Sequence, residues 1–269
     1  MNGTKADTES AGVYRGVVHV HSAYSHDGRD SIPDIVRTLS GREFDFCILT
    51  DHFEDFDATG FERYKAEIAD INAGGEFKVI PAIEAELEGV HVIFVPAGSY
   101  DEIEQVVEER DLSRSGAIKL LSHPTKYDLE RTLTVLKDHV FNGVELWNQS
   151  ADGKYAPPID RLEALLPRMS SELCGYFFGG DIHDIRHSVV NYITIPADGP
   201  LTVDHVIEAL RRGRHVSHNG LTGLTISGEQ TSSELVAWLE TAERSRGPRA
   251  VIMASLARVL KGIYHLLPR

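Results

Sequence analysis

Eight short apolar segments punctuate this chain, and helix-like stretches separate most of them. "GVVHV" (16–20), "FDFCILT" (44–50), "FKVIPAIEAEL" (77–87) and "GVHVIFV" (89–95) read as strands. So do "AIKLLSH" (117–123), "NGVELWN" (142–148), "GYFFGGD" (175–181) and "VVNYITI" (189–195). Helix-like segments fall at 32–40, 60–72, 101–110, 128–138, 158–168 and 203–212; the first opens with Ser31 as a cap and Pro33 in its first turn. Strands alternating with helices imply parallel βαβ units. Near-continuous apolar strands fit a sheet buried on both faces. Seven or eight such units in about 220 residues predict an α/β barrel rather than an open sheet.

The polar residues fall at particular places. His19 and His21 follow Val17 and Val18; Asp51 and His52 follow "CILT"; Glu84 follows "VIPAI". His123 follows "IKLLS", Glu145 lies in "GVELWN", and Asp181 and His183 follow "YFFGG". Most of these groups sit at the C-terminal end of an apolar strand, and in a parallel barrel those ends converge on one face. Histidine and carboxylate are ligands for zinc, iron and manganese. In "HVH" and "DIH" the donors are two apart, so on a strand they point to one side. A lone pair of this kind is weak evidence. Five histidines and four acids gathered at strand ends are hard to explain as core filling.

Composition narrows the function classes. The 269 residues carry a net charge of −14, which argues against broad nucleic-acid or anionic-membrane binding. No apolar run is long enough for a membrane span, and "MNGTKADTESAG" lacks the apolar stretch of a secretory signal. A cytoplasmic protein with two reduced, buried cysteines, Cys47 and Cys174, is expected.

"HVHSAYSHDG", "TDH", "AIEAE", "GVHVIFV", "SHP" and "GDIHD" occur in an order and spacing that resemble the PHP family, named for polymerase and histidinol phosphatase. The resemblance runs from about residue 16 to 220, and "GRHVSHNG" looks like the family's closing strand. It implies a distorted (β/α)7 barrel over 15–228; the polar opening residues (1–14) read as a disordered tail, and the segment 229–269 departs from the pattern as a helical extension. It also implies two or three divalent ions, zinc, manganese or iron. His19, His21, Glu84 and Asp181 would hold the first ion. Glu84, His91 and His123 would hold the second, with Glu84 bridging. His52, His183 and a residue of the opening loop would hold the third. Counting from His19, some members place that last ligand at the position of His26 and others at Asp27; members commonly place it just before a glycine, which favours Asp27 ahead of Gly28.

Water held between two such cations ionises near neutral pH and can attack phosphorus in line. The implied activity is therefore hydrolysis of a phosphoric ester in a small metabolite or nucleotide. Around the ligands, Asp51 is a candidate to fix a histidine tautomer or to cap a turn. His187 is a candidate proton donor or an exposed loop residue. Lys126 and Arg186 could clamp a phosphate, with Arg29 weaker. Glu145 and Asn148 could line the pocket or anchor a ligand, and Trp147 could stack on a ring or fill the core. His139, His205, His215, His218 and His265 read as structural or surface. A metal-bound regulatory module and a carboxylic ester or amide hydrolase are the competing functions. Ile252, Leu256, Val259, Leu260 and Ile263 recur at helical spacing, so a terminal helix docked on the barrel, with a possible homodimer contact, is expected.

Overall fold

The computed structural model describes residues 12–166, 175–230 and 232–244. Most of the expected tail, Cys174, His265 and the terminal helix with its dimer contact lie outside these residues. The described chain forms ten strands in one sheet and seven α-helices. In sequence order they are β1 (Val13–Val20), α1 (Ile32–Ser40), β2 (Phe46–His52), α2 (Ala58–Gly74), β3 (Lys78–Leu87), β4 (Val90–Val95) and α3 (Tyr100–Glu109). Then come β5 (Ile118–Leu121), α4 (Leu129–Asp138), β6 (Gly143–Asn148), α5 (Ile159–Leu165), β7 (Tyr176–Gly179) and β8 (Asn191–Pro196). The last are α6 (Val203–Arg211), β9 (Val216–Asn219), β10 (Thr225–Ser227) and α7 (Ser232–Arg244). None of the described helices is long and apolar enough to cross a membrane.

The strand order is β10-β9-β8-β1-β2-β3-β4-β5-β6-β7, and the sheet curls until its far end meets β1. Gly180 N–H donates to the Val18 carbonyl (2.8 Å), Ile182 N–H donates to the His19 carbonyl (3.1 Å), and Val20 bridges Ile182 in parallel. The result is a nearly closed, barrel-like sheet. Among the described residues, three strands follow the preceding one with no helix between: β4, β8 and β10. Glu88 and Gly89, at φ 53° and 79°, make a tight turn that reverses the chain, so β4 runs antiparallel between β3 and β5. This reversal brings the start of β4, where His91 sits, to the mouth formed by the ends of its neighbours. The later strands β8, β9 and β10 are antiparallel too.

Alternation along the strands separates two cores. Phe46 and Ile48, Ile80 and Ala82, Ile118 and Leu120, Ile93 and Phe177 form one cluster with Val206, Ile207 and Leu210 of α6. The intervening Cys47, Leu49, Val79, Ile83 and Phe94 pack with the surrounding helices in the other. Stepping onward by twos from the first set leads to His52, Glu84, His91, Ser122 and Asp181. The barrel interior is therefore apolar along most of its length and becomes polar at one mouth. On the outer side, α7 joins the helix-facing core through Leu235, Trp238 and Leu239, with Trp238 5.8 Å from the Phe178 ring. Cys47 is a free, buried thiol.

His215 is buried with its Nε2 donating to the Tyr176 carbonyl (3.0 Å), and burial pushes its pKa down from 6.5 to about 4. The unfolded chain then binds the extra proton between those values, so this residue's share of stability is whole above pH 6.5 and falls toward pH 4. His215→Gln should reduce the loss of unfolding free energy between pH 7 and pH 4.5 by about 2 kcal/mol, read from denaturant titrations at the two pH values. An unchanged acid sensitivity in the variant would refute this assignment.

Candidate metal centre

The polar mouth is organised around Glu84, a carboxylate only 1% exposed. Its Oε2 faces His19 Nε2 (3.4 Å), His21 Nε2 (3.5 Å) and His52 Nδ1 (3.4 Å). Its Oε1 faces His91 Nδ1 (3.2 Å) and His123 Nε2 (3.1 Å), and accepts a hydrogen bond from Ser122 Oγ (2.6 Å). The two oxygens of one carboxylate thus address two separate sets of imidazoles. Asp181 Oδ1 adds a second acid, 3.4 Å from His19 Nε2 and 3.5 Å from His21 Nε2.

Backbone irregularity makes this convergence possible. The parallel register of β1 with β2 slips between Val18 and Val20, leaving His19 as a bulged residue at φ 68°. The bulge changes the face: Val18 belongs to the interior core and Val20 to the helix-facing one. Simple strand alternation, expected for "HVH", is therefore not what aligns the rings; the bulge turns His19 inward and puts His21 on the same side. His123 (φ 28°) and Asp181 (φ 49°) also adopt positive φ. Non-glycine residues in that region store strain, and all three belong to one cluster.

The opening loop delivers Asp27. Its Oδ2 lies 2.9 Å from His183 Nε2 and 3.4 Å from His52 Nε2. His26 instead turns outward, 71% exposed at its side chain, with Nδ1 2.8 Å from Asp55 Oδ2. Gly28 matters here for space: a Cβ would stand 1.9 Å from the Ser22 carbonyl oxygen.

Electrostatics suit cations. Burial raises the pKa of Glu84, but His19 and hydrogen bonds from the surrounding imidazoles overcome it and hold the carboxyl well below its usual range. Asp181 and Asp27 likewise overcome burial through neighbouring histidines and stay low. Burial would lower His19, yet Glu84, Asp181 and Glu145 raise it well above 6.5. Burial and then His21 lower His52 and His183, which favours neutral rings with a free lone pair. Several donor atoms are buried without a hydrogen-bond partner: His19 Nε2, His21 Nε2, Glu84 Oε2, His91 Nδ1 and Asp27 Oδ1. Such groups cost free energy unless something else satisfies them. Four combinations of these side chains bring three or more ligand atoms within 4.8 Å of one another. The residues fit divalent ions.

A model of the PHP domain matches residues 18–166. The chain belongs to the PHP family. Among solved structures, PsfC of Pseudomonas syringae is 15% identical, with 91% of this chain and 98% of PsfC covered at a TM-score of 0.47. A provisionally assigned metal-dependent phosphoesterase of Bifidobacterium adolescentis is 13% identical, covering 74% of this chain and 96% of its own at 0.43. An amidohydrolase of Chromobacterium violaceum, with bound sulfate and no metal, is 14% identical, covering 62% and 87% at 0.40. No curated protein matches.

Within this PHP chain, several residues singled out in the sequence do other work. Asp51 makes no hydrogen bond to a histidine ring among the described residues; it accepts from Ser22 N–H, Ser22 Oγ and Ser25 Oγ (2.7–2.8 Å) and so pins the opening loop. His187 is exposed and lines neither cavity at the site. Arg186 is likewise exposed, and its guanidinium forks onto Asp184 (2.6 and 2.9 Å), which Arg29 also reaches (3.5 Å). It lies outside both cavities. Trp147 is buried, donating to the Gly153 carbonyl, and belongs to the core. His139 pairs with Glu88, His205 with Asp198, and His218 stacks on Tyr192. Lys126, in contrast, lines both cavities.

Glu145, rather than Asp51, stands beside a ring nitrogen of a histidine. Its Oε1 lies 3.2 Å from His19 Nδ1, while Oε2 accepts from His123 N–H (2.6 Å) and Asn148 Nδ2 (3.0 Å). Donation from His19 Nδ1–H leaves Nε2 free to face the centre. Room for Glu145 comes from Gly179, where a Cβ would stand 1.5 Å from Oε1. Glu145→Gln should weaken metal binding about 10- to 100-fold, measured by competition with a chromophoric chelator, and Gly179→Ala should move affinity the same way. Affinity unchanged in both variants would remove Glu145 from this role.

Proposed function

We propose that this protein is a metal-dependent phosphoesterase, built on a distorted (β/α)7 barrel and acting on a small phosphorylated metabolite or nucleotide. The observation that carries the reading is Glu84, whose two oxygens address two imidazole sets beside an open cavity. Structural metal sites are closed, whereas this one adjoins space for a substrate, which favours catalysis over a purely regulatory module.

In this reading His19, His21, Glu84 and Asp181 hold one ion, and Glu84, His91 and His123 a second. His52, His183 and Asp27 hold a third. Mixed histidine and carboxylate shells accept zinc, manganese or iron. Bound divalent ions supply Lewis acidity and make coordinated water acidic enough to yield a nucleophile near neutral pH. The chain's own residues do the rest. Glu84 keeps two sets of imidazoles in register. Glu145 orients His19, and Asp51 holds Ser22 and Ser25 so that the opening loop presents Asp27. Lys126 is the one lysine or arginine lining the cavities among the described residues. An ammonium there favours a phosphate over an uncharged carboxylic ester or amide.

Elemental analysis of the purified protein should find two or three divalent ions per chain, with phosphoester turnover abolished by chelator and restored by metal. Asp27→Ala should lose one ion equivalent, and His26→Ala should keep the full complement; the opposite pattern would make His26 the ligand. Lys126→Ala should raise KM for a phosphoester about tenfold with a smaller change in kcat. Full metal loading with no turnover across mono- and diesters would sink the phosphoesterase reading.

A further inference from the structure

The two oxygens of Glu84 differ in their surroundings. Oε2 is buried without a hydrogen-bond partner, whereas Oε1 accepts from Ser122 Oγ at 2.6 Å. Ser122 is 0% exposed and is tied to every member of one ligand set. Its hydroxyl donates to Glu84 Oε1, its N–H donates to the His91 carbonyl (3.1 Å), and it directly precedes His123 in the chain. The same Oε1 faces His91 Nδ1 (3.2 Å) and His123 Nε2 (3.1 Å). We infer that Ser122 is a positioning residue. It fixes the plane of the Glu84 carboxylate so that Oε1 serves the His91 and His123 rings, and it thereby governs retention of the ion in that set alone. The inference rests on the metal-dependent reading above and adds which residue holds one of its ions in place.

The direction of the effect follows from the contacts around Glu84. The terminal torsion of a glutamate is broad, so neighbours rather than covalent preference set the carboxylate plane. Those neighbours are ring nitrogens on both oxygens and the hydroxyl of Ser122. A ring nitrogen that gives its lone pair to an ion cannot also donate to the carboxylate, and the Ser122 hydroxyl is the donor that remains. Ser122 Oγ also lies 3.2 Å from the His91 carbonyl, so both of its neighbours belong to the same set. The other two sets each bring an acid of their own. Asp181 Oδ1 stands 3.4 Å from His19 Nε2 and 3.5 Å from His21 Nε2, and Asp27 Oδ2 stands 2.9 Å from His183 Nε2 and 3.4 Å from His52 Nε2. The ion pairs of the His91 and His123 rings go to Glu84 alone among the described residues. A carboxylate free to swing therefore costs this set its one acid and leaves the others a ligand each.

The test starts from the full-length protein loaded with Co²⁺ and withdraws ions with increasing amounts of a chromophoric chelator. His91→Ala marks the step that belongs to this set. Ser122→Ala should weaken that same step about tenfold and leave the others within about twofold. Ser122→Thr, which keeps a hydroxyl, should restore it. The double variant Ser122→Ala with His91→Ala should weaken the step no further than His91→Ala does, because the two residues act on one ion. The visible absorption of bound Co²⁺ gives a second reading: the bands lost in His91→Ala should fade first in Ser122→Ala and return in Ser122→Thr. Unfolding midpoints confirm that each variant is folded. Equal weakening of every step in Ser122→Ala, or no change in any, overturns the inference and leaves the metal-dependent reading standing. A parent protein that retains no Co²⁺ overturns both.

Discussion

A carboxylate buried among five imidazoles is the constraint on which the rest of this structure depends. Glu84 has given up water, and Ser122 supplies its one hydrogen bond from a hydroxyl. Its remaining neighbours are ring nitrogens at 3.1–3.5 Å, several of them without hydrogen-bond partners. Burying this much polar surface is costly unless charge and lone pairs are satisfied. Protons shared between the acids and histidines can satisfy part of it, as the raised His19 and lowered Glu84 and Asp181 indicate. Divalent cations satisfy far more, because each can engage several of these donors at once.

Supporting such a nest requires departures from regular structure. His19, His123 and Asp181 each hold a positive φ. The energy stored there is offset by contacts that leave the backbone little choice: Ile182 N–H on the His19 carbonyl, Glu145 on His123 N–H, and parallel bridging of Val20 to Ile182. Glu145 connects two of these strained positions, since it touches His19 through one oxygen and His123 through the other. The loop is held in the same manner. Asp51 gathers Ser22 and Ser25, and Ser25 Oγ in turn accepts from His52 N–H, so two ligand-bearing segments share one buried anchor.

Much of this was legible in the residues. Strand ends carrying histidine and acid marked the mouth because interior positions recur every second residue, and that periodicity survives translation into three dimensions. The limits arose where geometry left the regular lattice. Nothing in "HVH" announces a bulge, so the alignment of His19 with His21 had a different cause from the one alternation suggests. The Glu88–Gly89 reversal is short enough to read as a loop, yet it decides that His91 joins the mouth from an antiparallel strand. Asp51 and Glu145 stood as similar candidates, each an acid at a strand end; only the spatial neighbours, serines for one and His19 for the other, separated their roles. Arg186 follows the DIH pair closely in sequence, but Asp184 two residues earlier captures its guanidinium.

Charge distribution ties the metals to substrate entry. Asp27, Glu84 and Asp181 at the centre, with Glu54, Asp55, Glu86 and Asp152 around the two cavities, give the mouth a strongly negative character that one lysine cannot reverse. The potential of a cleft follows its summed charges, and low-dielectric walls focus it. An anionic ester approaching such a mouth without cations would meet repulsion from most of its walls. In the proposed enzyme, divalent ions seated among the inner carboxylates would turn the centre positive while the outer acids remain. Attraction would then centre on the ions and Lys126, and the surrounding acids would discourage binding of phosphate elsewhere in the mouth. In the proposed enzyme, cation loading and substrate registration are in this way one electrostatic property of the same sixteen-residue neighbourhood around Glu84.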